Sequence, residues 1–350
     1  MDLYARYHVC QKRRGWRFVL CSLLGWVLFM LGGSGSIAIT WAGTPEGPEA
    51  LLYVPLGPGK KIAVINLASQ QIMNIFAVGI EAHGLAVTQD GKELYVPALR
   101  GATDIAIFRT DTRERIGTVE VGGTSHHLTL SPDGRFLYAT VMPSSVVVID
   151  TKTRQVVSTL TVGPGPGMVV VTPDGRYAYV TIGELDQVAV LDLAAQKVVT
   201  TIPVGALPDH AAITPDGKRI YVTNNFSGNV SVIDTTQNTV VATIPTGKGP
   251  HGVAVSPDGT RVYVSNRGET TYAVIDTATQ QVLRRVEVGR EPGHLSLIEQ
   301  SGTLLLYLNL LSTHQVLVIE AQTDKVLTRL EVGVDPHAHA LFLPPSSPFR

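Results

Sequence analysis

The most constraining feature of this chain is a unit of about 42 residues that it repeats until the sequence ends. The unit is cleanest from Gly205 to Gly247, GALPDHAAITPDGKRIYVTNNFSGNVSVIDTTQNTVVATIPTG. Four short apolar runs, 211–214, 220–224, 230–234 and 240–244, are separated by turn signals. In Pro215-Asp216-Gly217, proline presets the first turn residue and glycine supplies the left-handed one. Residues 220–224 alternate apolar and polar, as a half-buried strand should, and 230–234 are rich in β-branched residues. The closing glycine recurs as Gly79, Gly122, Gly163, Gly205, Gly247, Gly289 and Gly333, at steps of 43, 41, 42, 42, 42 and 44 residues. One four-stranded sheet cannot bury both of its faces alone, so the copies must stack on one another. The chain starts its repeats at 51–56 with what should be a second strand and ends them at 337–343 with what should be a first. The expectation is an all-β chain folded as a seven-bladed β-propeller of four-stranded antiparallel blades, spanning 51–343. Its ring is closed by one C-terminal plus three N-terminal strands, which removes the exposed sheet edges of an open array.

The hairpin turn recurs as Asp90-Gly91, Pro132-Asp133-Gly134, Pro173-Asp174-Gly175 and Pro257-Asp258-Gly259, and wears down to Ser301-Gly302. Third strands end at Asp150, Asp192, Asp234 and Asp276. Tyr221-Val222-Thr223-Asn224, followed by Val232-Ile233-Asp234-Thr235, resembles the YVTN-type β-propeller family, with Tyr263-Val264-Ser265-Asn266 and Tyr179-Val180-Thr181 as variants. That family resembles the exported YncE-like proteins and, more distantly, the haem-holding propeller of cytochrome-type nitrite reductases. The resemblance implies fold and export. It does not imply one activity, because propellers host many functions.

The first 42 residues differ in kind. Lys12, Arg13, Arg14 and Arg17 precede an apolar run over 18–31, a Gly/Ser break over 32–36, and Thr40-Trp41-Ala42, which resembles a cleavage site. This is a signal-peptide pattern, with an uncleaved N-terminal anchor as the alternative. A twin-arginine signal fits Gly15-Trp16-Arg17 poorly. Residues 43–50 read as a linker and 344–350 as an exposed tail. The expected location is the periplasm or the extracellular space, with membrane contact only through an uncleaved leader. Both cysteines, Cys10 and Cys21, lie in the leader, so the mature chain has neither a disulfide nor a Cys-x-x-Cys-His haem site. Five of the 28 basic residues and one of the 29 acidic ones also lie there, leaving the remainder at −5. A broad nucleic-acid surface is not expected on such a domain.

Eight of the ten histidines fall in the loops that lead into the first strands. Counting from each closing glycine, the fourth residue is His83, His126, Gly167, Asp209, His251, Gly293 or His337. The fifth position adds His127, His210 and His294, and the sixth adds His339. Only the unit led in by Gly165-Pro166-Gly167-Met168 lacks an imidazole. In a propeller the first strand of each blade is innermost, so these loops open on the central channel. The expectation is a histidine-rich channel mouth formed by His83, His126, His127, His210, His251, His294, His337, His339 and Asp209. On one reading these imidazoles bond to backbone or carboxylate on the neighbouring blade and hold the sheets in register. On the other they bind metal, with His83, His126, His251 and His337 as ligands and copper, zinc or non-covalent haem as the cofactor.

No nucleophile elbow, phosphate loop or zinc-protease helix appears. Arg100, Asp104, Glu184, Asp186, Arg267 and Glu269 are placed by the repeat in the loops between second and third strands, facing the same mouth. They are the residues a lactonase-like hydrolase would use, and otherwise they are solvated loop charges. The reading carried forward is an exported binding or scaffold propeller that receives a protein or small ligand at the histidine mouth. Its alternatives are a metal- or haem-dependent periplasmic protein with a redox or cofactor-handling role, and the hydrolase.

Overall fold

The computed structural model of the protein describes residues 49–345 together with Ser347 and Phe349. The expected leader and most of the linker lie outside the described residues. Seven four-stranded antiparallel sheets follow one another along the chain. Blade 1 is the composite one: Ala340–Phe342 pairs with Leu51–Leu56, followed by Lys61–Asn66 and Gln71–Ala77. The join is in register at Leu51↔Phe342, Leu52↔Leu341 and Tyr53↔Ala340. Blades 2 to 7 begin with Ala86–Val87, Ser125–Leu130, Pro166–Val171, Pro208–Ile213, Pro250–Val255 and Pro292–Gln300, and these first strands pack around the axis. The chain is therefore a seven-bladed β-propeller.

The turn residues do the chemistry their types suggest. The hydroxyls of Thr88, Ser131, Thr172, Thr214 and Ser256 donate to the carboxylates of Asp90, Asp133, Asp174, Asp216 and Asp258 at 2.5–2.7 Å. Each carboxylate also accepts the backbone N–H two residues on. The glycine that follows takes φ between 69° and 72°, where a side chain would be strained. Middle strands such as Arg219–Asn224 are buried along their length, whereas the outermost strands, such as Gln281–Glu287, bury alternate residues only. The core lies between blades. Tyr221, Val230 and Val232 of blade 5, for example, pack on Val262, Val264 and Ile275 of blade 6.

The first strands carry a shared irregularity. Pairing with the second strand is interrupted between Ser125 and Leu128, Pro166 and Val169, Pro208 and Ala211, Pro250 and Val253, and Pro292 and Leu295. The two residues inside each bulge are the fourth and fifth counted from the closing glycine. A bulge turns side chains that regular alternation would send to opposite faces. It also unpairs backbone groups, and a second-strand hydroxyl takes their place. Thr140, Thr181, Thr223 and Ser265 accept the N–H of the fifth residue in their own blade, at 2.8–3.1 Å. The same hydroxyls donate to the carbonyl of the fourth residue in the next blade, at 2.6–2.9 Å. This hydroxyl is the Thr or Ser of the YVTN motif. In blade 7, Asn309 replaces it and its amide donates to the His337 carbonyl. The motif tyrosines add stitches elsewhere on the seam: Tyr179 donates to Asn238 Oδ1 at 2.7 Å and Tyr263 to the Ala321 carbonyl at 3.2 Å.

One expectation is corrected. Within the segment read as an exposed tail, Phe349 is buried in the core shared by blades 1 and 7 and forms a bridge with Gln300. A large aromatic near a blade seam gains more by burial than a polar tail would.

Thr223→Val tests the stitch. It keeps the shape but leaves the His251 carbonyl and the His210 N–H buried without partners, and should cost on the order of 2–4 kcal/mol in urea unfolding. Thr223→Ser should stay near wild type; equal losses in both variants would rule the hydroxyl out as the stitch.

Candidate functional site

Bulge and stitch together bring the heads of the first strands to the axis with successive side chains facing inward. His83, His126, His210, His251, His294 and His337 are all at least nine-tenths buried. Their rings meet. His83 stacks on His126 and leans on His337, with centroids 4.2 Å apart in both cases. His210, His251 and His294 meet edge to face at 4.3–5.0 Å. His83 and His294 join the two groups at 5.5 Å. The expected convergence is thus present, but as a buried plug of imidazoles rather than the lining of an open mouth. In blades 3, 5, 6 and 7 the bulge holds His126, His210, His251 and His294 at the heads of the first strands, where the rings pack on one another. Glycine permits the crowding: an added Cβ at Gly84 would lie 2.9 Å from the His126 carbonyl, and one at Gly252 would lie 2.7 Å from that of Gly293.

The carboxylate in the ring, Asp209, lies against two of the imidazoles. Thr181 fixes the Asp209 backbone from the preceding blade. Asp209 Oδ2 then lies 2.7 Å from His251 Nδ1, and Oδ1 lies 3.4 Å from His210 Nδ1. Asp335, which the sequence reading did not single out, does the same for His337, with Oδ2 3.1 Å from Nε2. Its own N–H donates to His314 Nδ1 at 3.3 Å, so the histidine outside the hub holds this carboxylate in place. The Asp335-Pro336-His337 string was the available signal.

His339 is different. Asn309 spends its amide nitrogen on the His337 carbonyl, so its oxygen accepts from His339 Nε2–H at 2.7 Å, and His339 Nδ1 accepts from the Ser296 hydroxyl at 2.9 Å. This imidazole does the register-holding work that one reading assigned to all of them. From blade 3 to blade 6 the hydroxyl stitch does that work, and ring nitrogens are left over. Nδ1 of His83, Nε2 of His251, Nε2 of His294 and Nδ1 of His337 are buried without a hydrogen-bond partner. One ring nitrogen from each of His83, His294 and His337 lies within 4.8 Å of the others, and the same holds for His210, His251 and His294. The four ligands expected from sequence are thereby divided: His83 and His337 fall in one triad, His251 in the other, and His126 stacks beside them. His294, from the fifth position, belongs to both.

Below the plug lies a cavity of about 310 Å3, walled by Leu85, Val87, Leu128, Leu130, Val253 and Leu295 and touched by His127, His210, His294 and His339. The charged loop residues take no part in it. Asp104 is the first residue of its strand and pairs with Arg115 at 2.8 Å; Asp186 accepts the Leu207 N–H at 2.9 Å; Glu269 accepts the Thr271 hydroxyl at 2.7 Å. Glu184 sits on the short turn Gly183–Leu185, away from the cavity wall.

Burial dominates the proton equilibria. It strips water from the imidazolium form and pushes His126 down to about 4 and His127, His251 and His339 down to about 3. His83 and His294 fall well below the ordinary histidine range for the same reason, with neighbouring rings adding to it. Burial also acts to raise Asp209, but the His210 and His251 rings beside it outweigh that and hold it well below the usual carboxylate range. His83, His126, His251 and His294 are therefore held as neutral imidazoles in the hub.

Fold and hub together define a seven-bladed propeller whose axis is closed by histidines. Residues 142–336 match the family described as "Lactonase, 7-bladed beta-propeller", and the chain belongs to that family. Residues 49–216 match the YNCE-like β-propellers, in line with the YVTN motif. Among curated proteins none matches. Similar solved structures include a functionally unknown protein from Desulfotomaculum acetoxidans, with TM-score 0.73 and 16% identity over 84% of this chain and 99% of that one. Kuenenia stuttgartiensis hydrazine synthase gives TM-score 0.61 and 22% identity over 86% of this chain and 100% of that one. Dihydro-heme d1 dehydrogenase NirN in complex with DHE gives TM-score 0.63 and 18% identity over 81% of this chain and 64% of that one. At these identities the likeness is one of fold.

The neutral hub makes a prediction for the metal-free protein. Unfolded histidines take up protons near pH 6.5, while the buried ones resist down to about 4 or below. Between those values the unfolded state binds more protons, so stability falls as pH falls. Urea midpoints measured in chelator should drop steadily from pH 7 to 4.5, with uptake of several protons on unfolding. A flat profile over that range would mean that the hub is not neutral.

Proposed function

We propose that the protein is an exported binding propeller whose hub holds a transition-metal ion on buried imidazoles, with copper and zinc as the candidates. One observation carries this reading: four hub imidazoles, each at least nine-tenths buried, keep a ring nitrogen without a hydrogen-bond partner, and all four belong to the two triads in which one ring nitrogen per residue lies within 4.8 Å of the others. Leaving a buried polar atom unpaired costs about 1–3 kcal/mol, so four of them at one place need a reason. A neutral imidazole nitrogen is a good ligand for copper and zinc. Zinc–imidazole bonds of about 2.0–2.1 Å place tetrahedral ligand nitrogens roughly 3.4 Å apart, so each triad needs only a small inward rotation of its rings. Asp209 and Asp335, bonded to His251 and His337 on the opposite nitrogen, act as the outer carboxylates that metal-bound histidines commonly have. A bound ion would supply positive charge and an open coordination position next to the cavity. The chain's own residues orient the ligands, keep His83, His251 and His294 unprotonated, and exclude water.

Non-covalent haem is served less well. Rings packed 4.2–6.1 Å apart leave no planar gap among the imidazoles for a porphyrin. A lactone hydrolase is the activity the family's description suggests, but Asp104, Asp186 and Glu269 are engaged locally, and neither they nor Glu184 line the cavity. Export is supported by the basic and apolar pattern of residues 1–42.

Chelator-stripped full-length protein, titrated with Zn2+ or Cu2+, should gain roughly 4 °C in Tm at a free metal concentration about 100-fold above Kd. The gain should vanish in a variant carrying His83→Ala, His251→Ala and His294→Ala together. No gain in the wild-type chain, or an equal gain in the variant, would refute the reading.

A further inference from the structure

The two triads are not independent. We infer that the hub is a one-ion device with two alternative seats that share His294. The inference rests on the metal-holding reading above and adds stoichiometry and the role of the two carboxylates.

The first seat is His83, His294 and His337; the second is His210, His251 and His294. Each contains one imidazole backed by a carboxylate on its other nitrogen. In the first, Asp335 Oδ2 takes the proton-bearing Nε2 of His337 and leaves Nδ1 as the lone-pair nitrogen. In the second, Asp209 Oδ2 takes Nδ1 of His251 and leaves Nε2. The two seats thus use opposite ring nitrogens but the same logic: a carboxylate selects the tautomer that turns a lone pair inward.

His294 decides how many ions fit. A neutral imidazole has one lone-pair nitrogen, since the other carries hydrogen. An ion in either seat claims that lone pair and leaves the other seat with two ligands. Filling both would require His294 to give up its remaining N–H and bridge two cations. Asp209 and Asp335 already accept from other rings, and two dications so close in a water-poor hub repel strongly. The seats therefore compete, and an ion can pass between them with His294 as the pivot.

The experiment is isothermal titration of the chelator-stripped full chain with Zn2+. Wild type should bind one ion. His83→Ala and His251→Ala, each closing one seat, should each still bind one ion with affinity lowered about 2-fold, the statistical loss of one of two equal seats. The double variant should lose at least 100-fold. His294→Ala should lose as much alone, with His294→Gln as the alternative if the alanine variant does not fold. Asp335→Asn should matter little alone and weaken binding about 10- to 100-fold in the His251→Ala background, where only its own seat remains. Melting in chelator checks that each variant is folded. Two ions per wild-type chain, full loss in either single-seat variant, or full retention in His294→Ala would overturn the two-seat inference while leaving metal binding intact. No binding to wild type would remove both.

Discussion

Much of this structure depends on a single oxygen atom per blade. The hydroxyl of the motif Thr or Ser accepts an N–H from its own first strand and donates to a carbonyl of the next blade. One side chain thereby satisfies both groups unpaired by the bulge and joins two sheets. Buried backbone groups must find partners, and at a crowded hub there is no room for water to serve. With the hydroxyls in that role from blade 3 to blade 6, the head of each first strand can leave the regular ladder and turn two consecutive side chains toward the axis. In blades 1 and 2, Pro55 and Pro97 stand where the motif Thr would be, so those seams lack the hydroxyl stitch.

This division of labour separates the histidines from the job of holding the ring. His339 alone is bonded at both nitrogens to polar groups of blade 7. His83, His126, His210, His251, His294 and His337 are packed ring on ring. The heads of blades 4 to 6 are braced on two sides, and rigidity is what a metal site needs to hold ligands before the ion arrives. The carboxylates complete the arrangement. Asp209 stands at a position where four other blades carry histidine, and its backbone carbonyl is held by Thr181 while its side chain orients His251. Asp335 reaches His337 from a left-handed turn residue that is itself tied to His314.

The fold was legible because its signals are local and repeated. Each hairpin turn announces itself in two or three residues, the period is nearly constant, and the mismatched ends can only be satisfied by closing the ring. The gathering of the histidines followed from topology. Their burial did not, because the bulge leaves no mark in hydropathy: His126-His127 and Asp209-His210 look like ordinary loop residues, and only the pairing pattern shows both members of each pair turned inward. The grouping into triads was also hidden, since it depends on ring rotations, and a choice of ligands by position alone passed over His294 and Asp335. The role of the motif Thr was present in the sequence as a repeated letter, but its meaning appeared only with the neighbouring blade in place.

X-ray absorption at the zinc edge of the singly loaded protein tests the central claim most directly. Three imidazole nitrogens at about 2.0–2.1 Å, with the outer-shell scattering of histidine rings, are the expected result. A shell of carboxylate or water oxygens without ring scattering would place the ion elsewhere and contradict it.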